Sequence, residues 1–438
     1  MRRPSGMAAR IAAVTMLAAV SVTACGITSS GTPSGNASAG PAGTPITVGF
    51  TVSLTGSFSA DGQAVLKGYQ LWRDDVNANG GLLGRPVKLV YLNDNSDPKV
   101  AKKDYITLIM RDRVDLTVGP FSTLLTVPAG QVTHKYGYAF VEGSGGGPLV
   151  FQQKFPNLFA VSAPVANQMV PFAQWVASLP PGNRPAKAAY VMVDDPFADP
   201  TVQTAHDILA KAGIATVYNN NSALPGATAK LLEPNASGTV PAAALTAAAD
   251  KVIAANPQVV LIGSVDVPTV SGILNEFKRQ RFTPKMIIAA SGPDQGQAFL
   301  NAIGTGNATG VMVPDAWYGG LPQALSHVMV QEYISKYGGT ASDINADVAE
   351  AYSVGEVMAD AVQAVGLNQT KIIRFLHSAT LQTVQGPAKF NSVGMNTAAT
   401  TFIFQWQPGV PPRFVPVLPL RSVGSSPIMP AKAPWVSG

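Results

Sequence analysis

From residue 46 onward, short β-rich apolar runs alternate with stretches of helical periodicity, and the alternation restarts after Pro164. Such a rhythm leaves few folds open, because strands alternating with helices build parallel βαβ units with right-handed crossovers. In the first round, residues 46–52, 86–92, 114–118 and 138–141 read as strands, and 63–77, 99–110 and 124–136 as helices. Val65, Leu66, Tyr69, Trp72 and Val76 recur at helical spacing within the first of these helices. In the second round, 188–193, 214–218, 259–262 and 285–289 read as strands, and 201–211, 241–255 and 267–281 as helices. Two such units cannot share one small core, so two lobes are expected. Residues 321–378 are helix-rich, with the strongest helical pattern over 345–365. Residues 401–406 read as a strand, expected to pair with the stretch before Phe390, and the Pro/Ser-rich tail after Leu418 is expected to be loose.

Cys25 is the one cysteine in 438 residues. Before it stand Arg2 and Arg3 and an uncharged apolar run over 11–20, too short to span a bilayer but suited to a cleaved export signal. Val22-Thr23-Ala24-Cys25 resembles a bacterial lipoprotein signal, which implies a lipidated Cys25 as the first mature residue. Residues 26–45 hold one bulky apolar side chain, Ile27, and read as a flexible tether. Without residues 1–24 no second thiol remains, so a structural disulfide and a cysteine-based metal site are excluded. Arg2, Arg3 and Arg10 leave with the signal, taking 30 basic residues to 27 against 25 acids. With a mature charge of about +2 and no Lys/Arg cluster, a nucleic-acid partner has no support.

Searches for chemistry return little. His134, His206, His327 and His377 have no metal-type spacing, and the His206-Asp207 adjacency falls on a helix expected to be exposed. No nucleophile elbow and no phosphate-binding lysine loop occurs. Gly143 to Gly147 fits no dinucleotide fingerprint, and Asp194-Asp195 reads as a pair of solvated loop acids. Binding is therefore favoured over catalysis, with no cofactor and no metal.

Open α/β sheets gather ligands at the carboxyl ends of their strands. In the first round those ends are 53–62, 119–123 and 142–146; in the second they are 194–197, 264–266 and 291–294. Their Ser, Thr and Asp residues serve as helix caps and turn formers, and hydroxyls and free N–H groups at helix starts can also hold an anion.

These segments resemble the periplasmic leucine/isoleucine/valine-binding protein family, the type I solute-binding proteins of ABC importers. The resemblance runs over residues 46–415. It is carried by Val48-Gly49 through Thr55-Gly56, Lys67-Gly68, DVNANGGLL from Asp75 to Leu83, Asp94 to Pro98 and Val118 to Thr123, with later echoes at Tyr337-Gly338, Ala351-Tyr352 and Val384 to Pro387. It implies two doubly wound Rossmann-like lobes joined by a three-stranded hinge. The expected divisions are 1–24 signal, 25–45 anchor and tether, 46–164 and 317–390 lobe 1, 165–316 and 391–420 lobe 2, and 421–438 tail. It also implies a monomer that is not an enzyme, held at the outer face of the cell membrane, delivering an amino acid to permease subunits. An aromatic acid, an amide or a urea-like solute is the alternative ligand, and a ligand-sensing receptor the alternative role. By the same resemblance Ser122, Thr123, Ser144, Gly145 and Gly146 would hold a ligand carboxylate. Asp294 would meet an ammonium, and Phe197, Trp317, Tyr318 and Phe58 would furnish apolar walls. The family's usual Thr beside Gly146 is absent here.

Overall fold

In a computed structural model the protein is described over residues 42–235, 238–429 and 431–436. Cys25, the export signal and nearly all of the tether lie outside the described residues. Among the described residues, no helix is long and apolar enough to cross a membrane.

The first sheet comprises β1 (Ile46–Val52), β2 (Val87–Asn93), β3 (Leu116–Val118), β4 (Phe140–Glu142) and β5 (Leu158–Ala160), all parallel in the order β2-β1-β3-β4-β5. Helices α1 (Ser59–Ala78), α2 (Pro98–Met110), α3 (Thr123–Lys135) and α4 (Pro148–Gln152) connect and follow its strands. Ile46, Val48, Phe50 and Val52 are all fully buried, because helices cover both faces of a central parallel strand.

The second sheet repeats the plan. After α5 (Val170–Ser178) come β6 (Lys187–Met192), α6 (Ala198–Lys211), β7 (Ala215–Asn219), α7 (Ala242–Ala255), β8 (Val259–Gly263), α8 (Val267–Arg279), β9 (Met286–Ala289), α9 (Gly296–Ile303) and β10 (Val311–Asp315). The parallel strands run β7-β6-β8-β9-β10, the same winding as the first sheet. The chain then returns to lobe 1 for α10 (Ala324–Tyr337), α11 (Ala346–Val365), α12 (Gln369–Ser378) and the hairpin β11 (Thr380–Thr383) and β12 (Gly386–Lys389). It crosses a third time to add β13 (Phe402–Gln407) and β14 (Arg413–Leu418) to the second sheet.

Several expectations need correction. β13 pairs antiparallel with β10 and β14, not with the stretch before Phe390, which is already paired with β11. Residues 391–396 stay with lobe 1: Met395 bridges Ala160, and the Asn396 amide donates to the Val161 carbonyl at 2.6 Å. The tail is not loose. Trp435 Nε1 donates to the Phe282 carbonyl at 2.6 Å, the Val436 N–H donates to Asn307, and the Lys432 ammonium lies 3.9 Å from the Trp435 ring centroid. Gly310 makes room for this strap, since a Cβ there would sit 1.7 Å from the Ala431 carbonyl oxygen. His206 is buried against Tyr190, because its ring faces the sheet.

Close backbone approach positions the cleft. A Cβ on Gly62 would lie 2.0 Å from the Ser53 carbonyl oxygen, so the first turn of α1 presses against the end of β1. A Cβ on Gly68 would meet the Val348 carbonyl at 2.3 Å, and one on Gly355 would meet the Trp72 ring at 2.2 Å. Gly68 lets the α11 backbone lie directly on α1, and Gly355 makes room on α11 for the Trp72 ring. Asp61 in the first turn of α1 is thereby set beside Asp347 in the first turn of α11.

Candidate functional site: a carboxylate-lined cleft

The carboxyl ends of the two sheets enclose a cleft of about 530 Å³ not filled by atoms, its mouth included. In lobe 1 the loops after β3, β4 and β5 face it with Ser122, Ser144, Gly146 and Ser162. In lobe 2, the ends of β8, β9 and β10 supply Val265, Ala290, Ser291, Asp294, Pro314 and Asp315. The N-terminal part of α11 adds Asp347 and Glu350.

The sequence-derived residues divide into two groups. Ser122, Ser144, Gly146, Phe197 and Asp294 line the cleft. Ser122 caps α3 at φ 71°, a rare backbone conformation outside glycine, and its hydroxyl accepts from the Leu124 N–H. Thr123 and Gly145 lie behind the surface. The Thr123 hydroxyl donates to the Gly145 carbonyl and accepts from the Gly147 N–H, both at 3.0 Å, stitching two loops together. Phe58 packs edge-on against Phe121 in the lobe 1 core. Trp317 and Tyr318 are not walls of this cleft. They border a separate hollow with Phe404, Phe414 and Pro416. The Trp317 indole donates to the Ser326 hydroxyl at 3.0 Å, and Tyr318 stands edge-on to Phe402.

The expected carboxylate cradle already holds the protein's own acids. The Gly145 N–H donates to Glu142 Oε2 at 2.5 Å. The Ser144 hydroxyl lies 2.5 Å from Glu350 Oε2 and 3.1 Å from Asp347 Oδ1, with one proton to give. The Ser162 hydroxyl donates to the other Glu350 oxygen at 2.7 Å. Three of the donors assigned to a ligand carboxylate, the Thr123 and Ser144 hydroxyls and the Gly145 N–H, are thus engaged internally, and an anion brought there would compete with the protein's own acids for them.

Asp294 is an expected site residue, but the acids gathered around it are not. Asp61, Asp294 and Asp347 each bring one carboxylate oxygen to within 4.8 Å of the other two. Ser291 and Gln295 donate to Asp294, and Gln295 and Ser144 can donate to Asp347. Asp61, fully buried just behind the lining, has no hydrogen-bond partner on either oxygen. Among the described residues, no Lys, Arg or His lines the cleft. Burial first, and neighbouring carboxylates second, push Asp61, Asp315 and Asp347 well above the usual carboxylate range. Burial lifts Asp294 to about 6, Glu350 to about 7 and Glu142 to about 8. Ligand-free, the cluster holds protons at neutral pH; a positive charge placed among the acids would let them ionise. The triad spacing suits either an ammonium with three N–H donors or a hard cation with oxygen ligands. A visible signal for the α11 acids was their i, i+3 spacing on an otherwise apolar helix face, where solvated charges have no place.

Comparison with known proteins agrees with the winding of the two sheets. The model of the family described as periplasmic binding protein matches residues 45–410. A Leu/Ile/Val-binding protein homologue from Brucella melitensis is 22% identical over 367 residues, which is 83% of this chain and 92% of the relative. Among solved structures, the branched-chain amino acid transporter substrate-binding protein LivJ from Streptococcus pneumoniae, in complex with isoleucine, aligns with TM-score 0.68 at 18% identity. That alignment covers 85% of this chain and 100% of that one. A solute-binding protein of an ABC transporter from R. palustris, in complex with benzoate, aligns with TM-score 0.69 at 14% identity, covering 90% of this chain and 98% of that one. The chain belongs to the periplasmic binding protein family, with the type I fold, as an exported solute-binding protein and not an enzyme.

Proposed function

We propose that this chain, lipid-anchored through Cys25, captures a small positively charged solute between its lobes and hands it to an ABC permease. One observation carries the choice of solute: Asp294, Asp315, Asp347 and Glu350 line the cleft and no basic side chain does, among the described residues. The isoleucine and benzoate held by the structural neighbours both carry a carboxylate, for which the acids here offer poor company. The acids come from both lobes, Asp294 and Asp315 from one, Asp61, Asp347 and Glu350 from the other. A cation bonded to both sides binds the closed form better than the open one, which is how a ligand selects closure. The apolar members Phe121, Phe197, Val165 and Val265 would cover a short hydrocarbon portion.

The test is a thermal-shift screen on refolded, ligand-stripped protein with amines, zwitterionic amino acids, amides and carboxylic acids. Stabilisation by amines above all other classes supports the proposal. Stabilisation by carboxylic acids, with none by amines, refutes it.

A further inference from the structure

We infer that the preferred solute is an organic dication, a short α,ω-diamine, with one ammonium in the Asp61–Asp294–Asp347 triad and the second directed to Glu350 and Asp315. The inference rests on the proposed cationic solute and goes further by fixing the number and placing of its charges.

Donor supply comes first. Asp294, Asp347 and Glu350 each have protein hydroxyls or amides within hydrogen-bond distance. Asp61 has none on either oxygen, although it is fully buried and its carboxylate lies within 4.8 Å of the other two. A buried carboxylate left without donors is costly, so this position calls for a donor group brought in from outside. An alkylammonium carries three N–H donors, one for each member of the triad.

Charge comes second. One ammonium in the triad leaves Glu350 and Asp315, which are not part of it, facing the same cleft without a counter-charge. Glu350 is held in place by Ser144 and Ser162. Ser144 also reaches Asp347, so the second anionic seat is only one hydroxyl away from the first. A molecule with positive groups at both ends of a short methylene chain reaches both seats. Its apolar middle lies against the Phe121, Phe197 and Val265 side of the cleft. A single metal ion fits the triad alone: it leaves the second seat uncompensated and the apolar wall unused.

The experiment is calorimetric titration of the full mature protein with putrescine, with n-butylamine, with 4-aminobutanoate, and with Mn²⁺ or Ca²⁺ alone. The expected order is putrescine tighter than butylamine by about 100-fold, with 4-aminobutanoate weaker than butylamine. Glu350→Gln should weaken putrescine at least about tenfold more than it weakens butylamine, while Asp61→Asn should weaken both amines. Equal affinities for putrescine and butylamine would overturn the dication and leave the cationic-solute reading standing. Silence from every amine would overturn both. Binding of a metal ion that putrescine does not displace would overturn the dication in favour of a metal site. If Asp61→Asn fails to fold, the putrescine to butylamine ratio in parent and Glu350→Gln protein still decides.

Discussion

Replacing Glu142 by Gln should stabilise the ligand-free protein, and by an amount that depends on pH. Glu142 ends β4 with no exposed surface; one oxygen accepts from the Gly145 N–H, the other has no partner. Burial lifts its carboxyl from 4.5 to about 8. A carboxyl raised in the folded state binds more protons folded than unfolded, so its contribution is full below about pH 4.5 and is lost as pH rises towards 8. At pH 7 the unfolded chain ionises the group and the folded chain keeps it protonated. The gap between 4.5 and 7, at about 1.4 kcal/mol per unit, costs the parent roughly 3 kcal/mol. Gln keeps the acceptor for Gly145 and removes the titration. Urea unfolding at pH 4.5 and pH 7 should therefore give curves close together at the lower pH, with the variant about 3 kcal/mol more stable at the higher one. An advantage equal at both pH values, or a less stable variant at pH 7, would refute the buried-acid reasoning.

Other outcomes follow from the same geometry. Amine affinity should rise between about pH 5 and pH 8, as Asp294 and Glu350, lifted to about 6 and about 7, lose their protons; calorimetry in buffers of different ionisation enthalpy should register proton release on binding. Gly62→Ala forces a Cβ to 2.0 Å from the Ser53 carbonyl; it should cost about 2–4 kcal/mol in denaturant unfolding and weaken binding by moving Asp61. Trp317→Phe should cost about 1–3 kcal/mol through lost packing and the bond to Ser326, with amine affinity unchanged by titration; a large loss of affinity would return Trp317 to the binding wall.

Much of the scaffold was legible because it is local. Periodicities of two and 3.6 mark most strands and helices of both windings, and the cleft lies where those strands end. What escaped depends on contacts distant in the chain. β5, no shorter than β3 and β4, carries no helix of its own winding after it and is placed by its pairing with β4. The choice of β10 as partner for β13 is made by the open edge of the second sheet, not by either strand's composition. Lys432 and Trp435 look like tail residues until Phe282 and Asn307 are brought beneath them. The acids escaped most completely. Asp61 falls in the strand-end segment 53–62, where it reads as a cap or turn former, and Asp294 stands alone as one ammonium partner. Asp315 and the i, i+3 pair Asp347 and Glu350 stand too far from Asp61 along the chain for spacing to connect them with it. Their common direction exists only once α11 lies against α1 and the lobes face each other.

The sharpest test of the central claim separates the two charges of an amino acid. Leucine, leucinamide and 4-methylpentanoate share one side chain and carry both charges, only the positive charge and only the negative charge. Titrated into the ligand-stripped protein at pH 7.5, leucinamide should bind, leucine should bind more weakly by at least about tenfold, and 4-methylpentanoate should give no heat. Tighter binding of leucine than of leucinamide, or measurable binding of 4-methylpentanoate, would contradict a cleft built to receive positive charge.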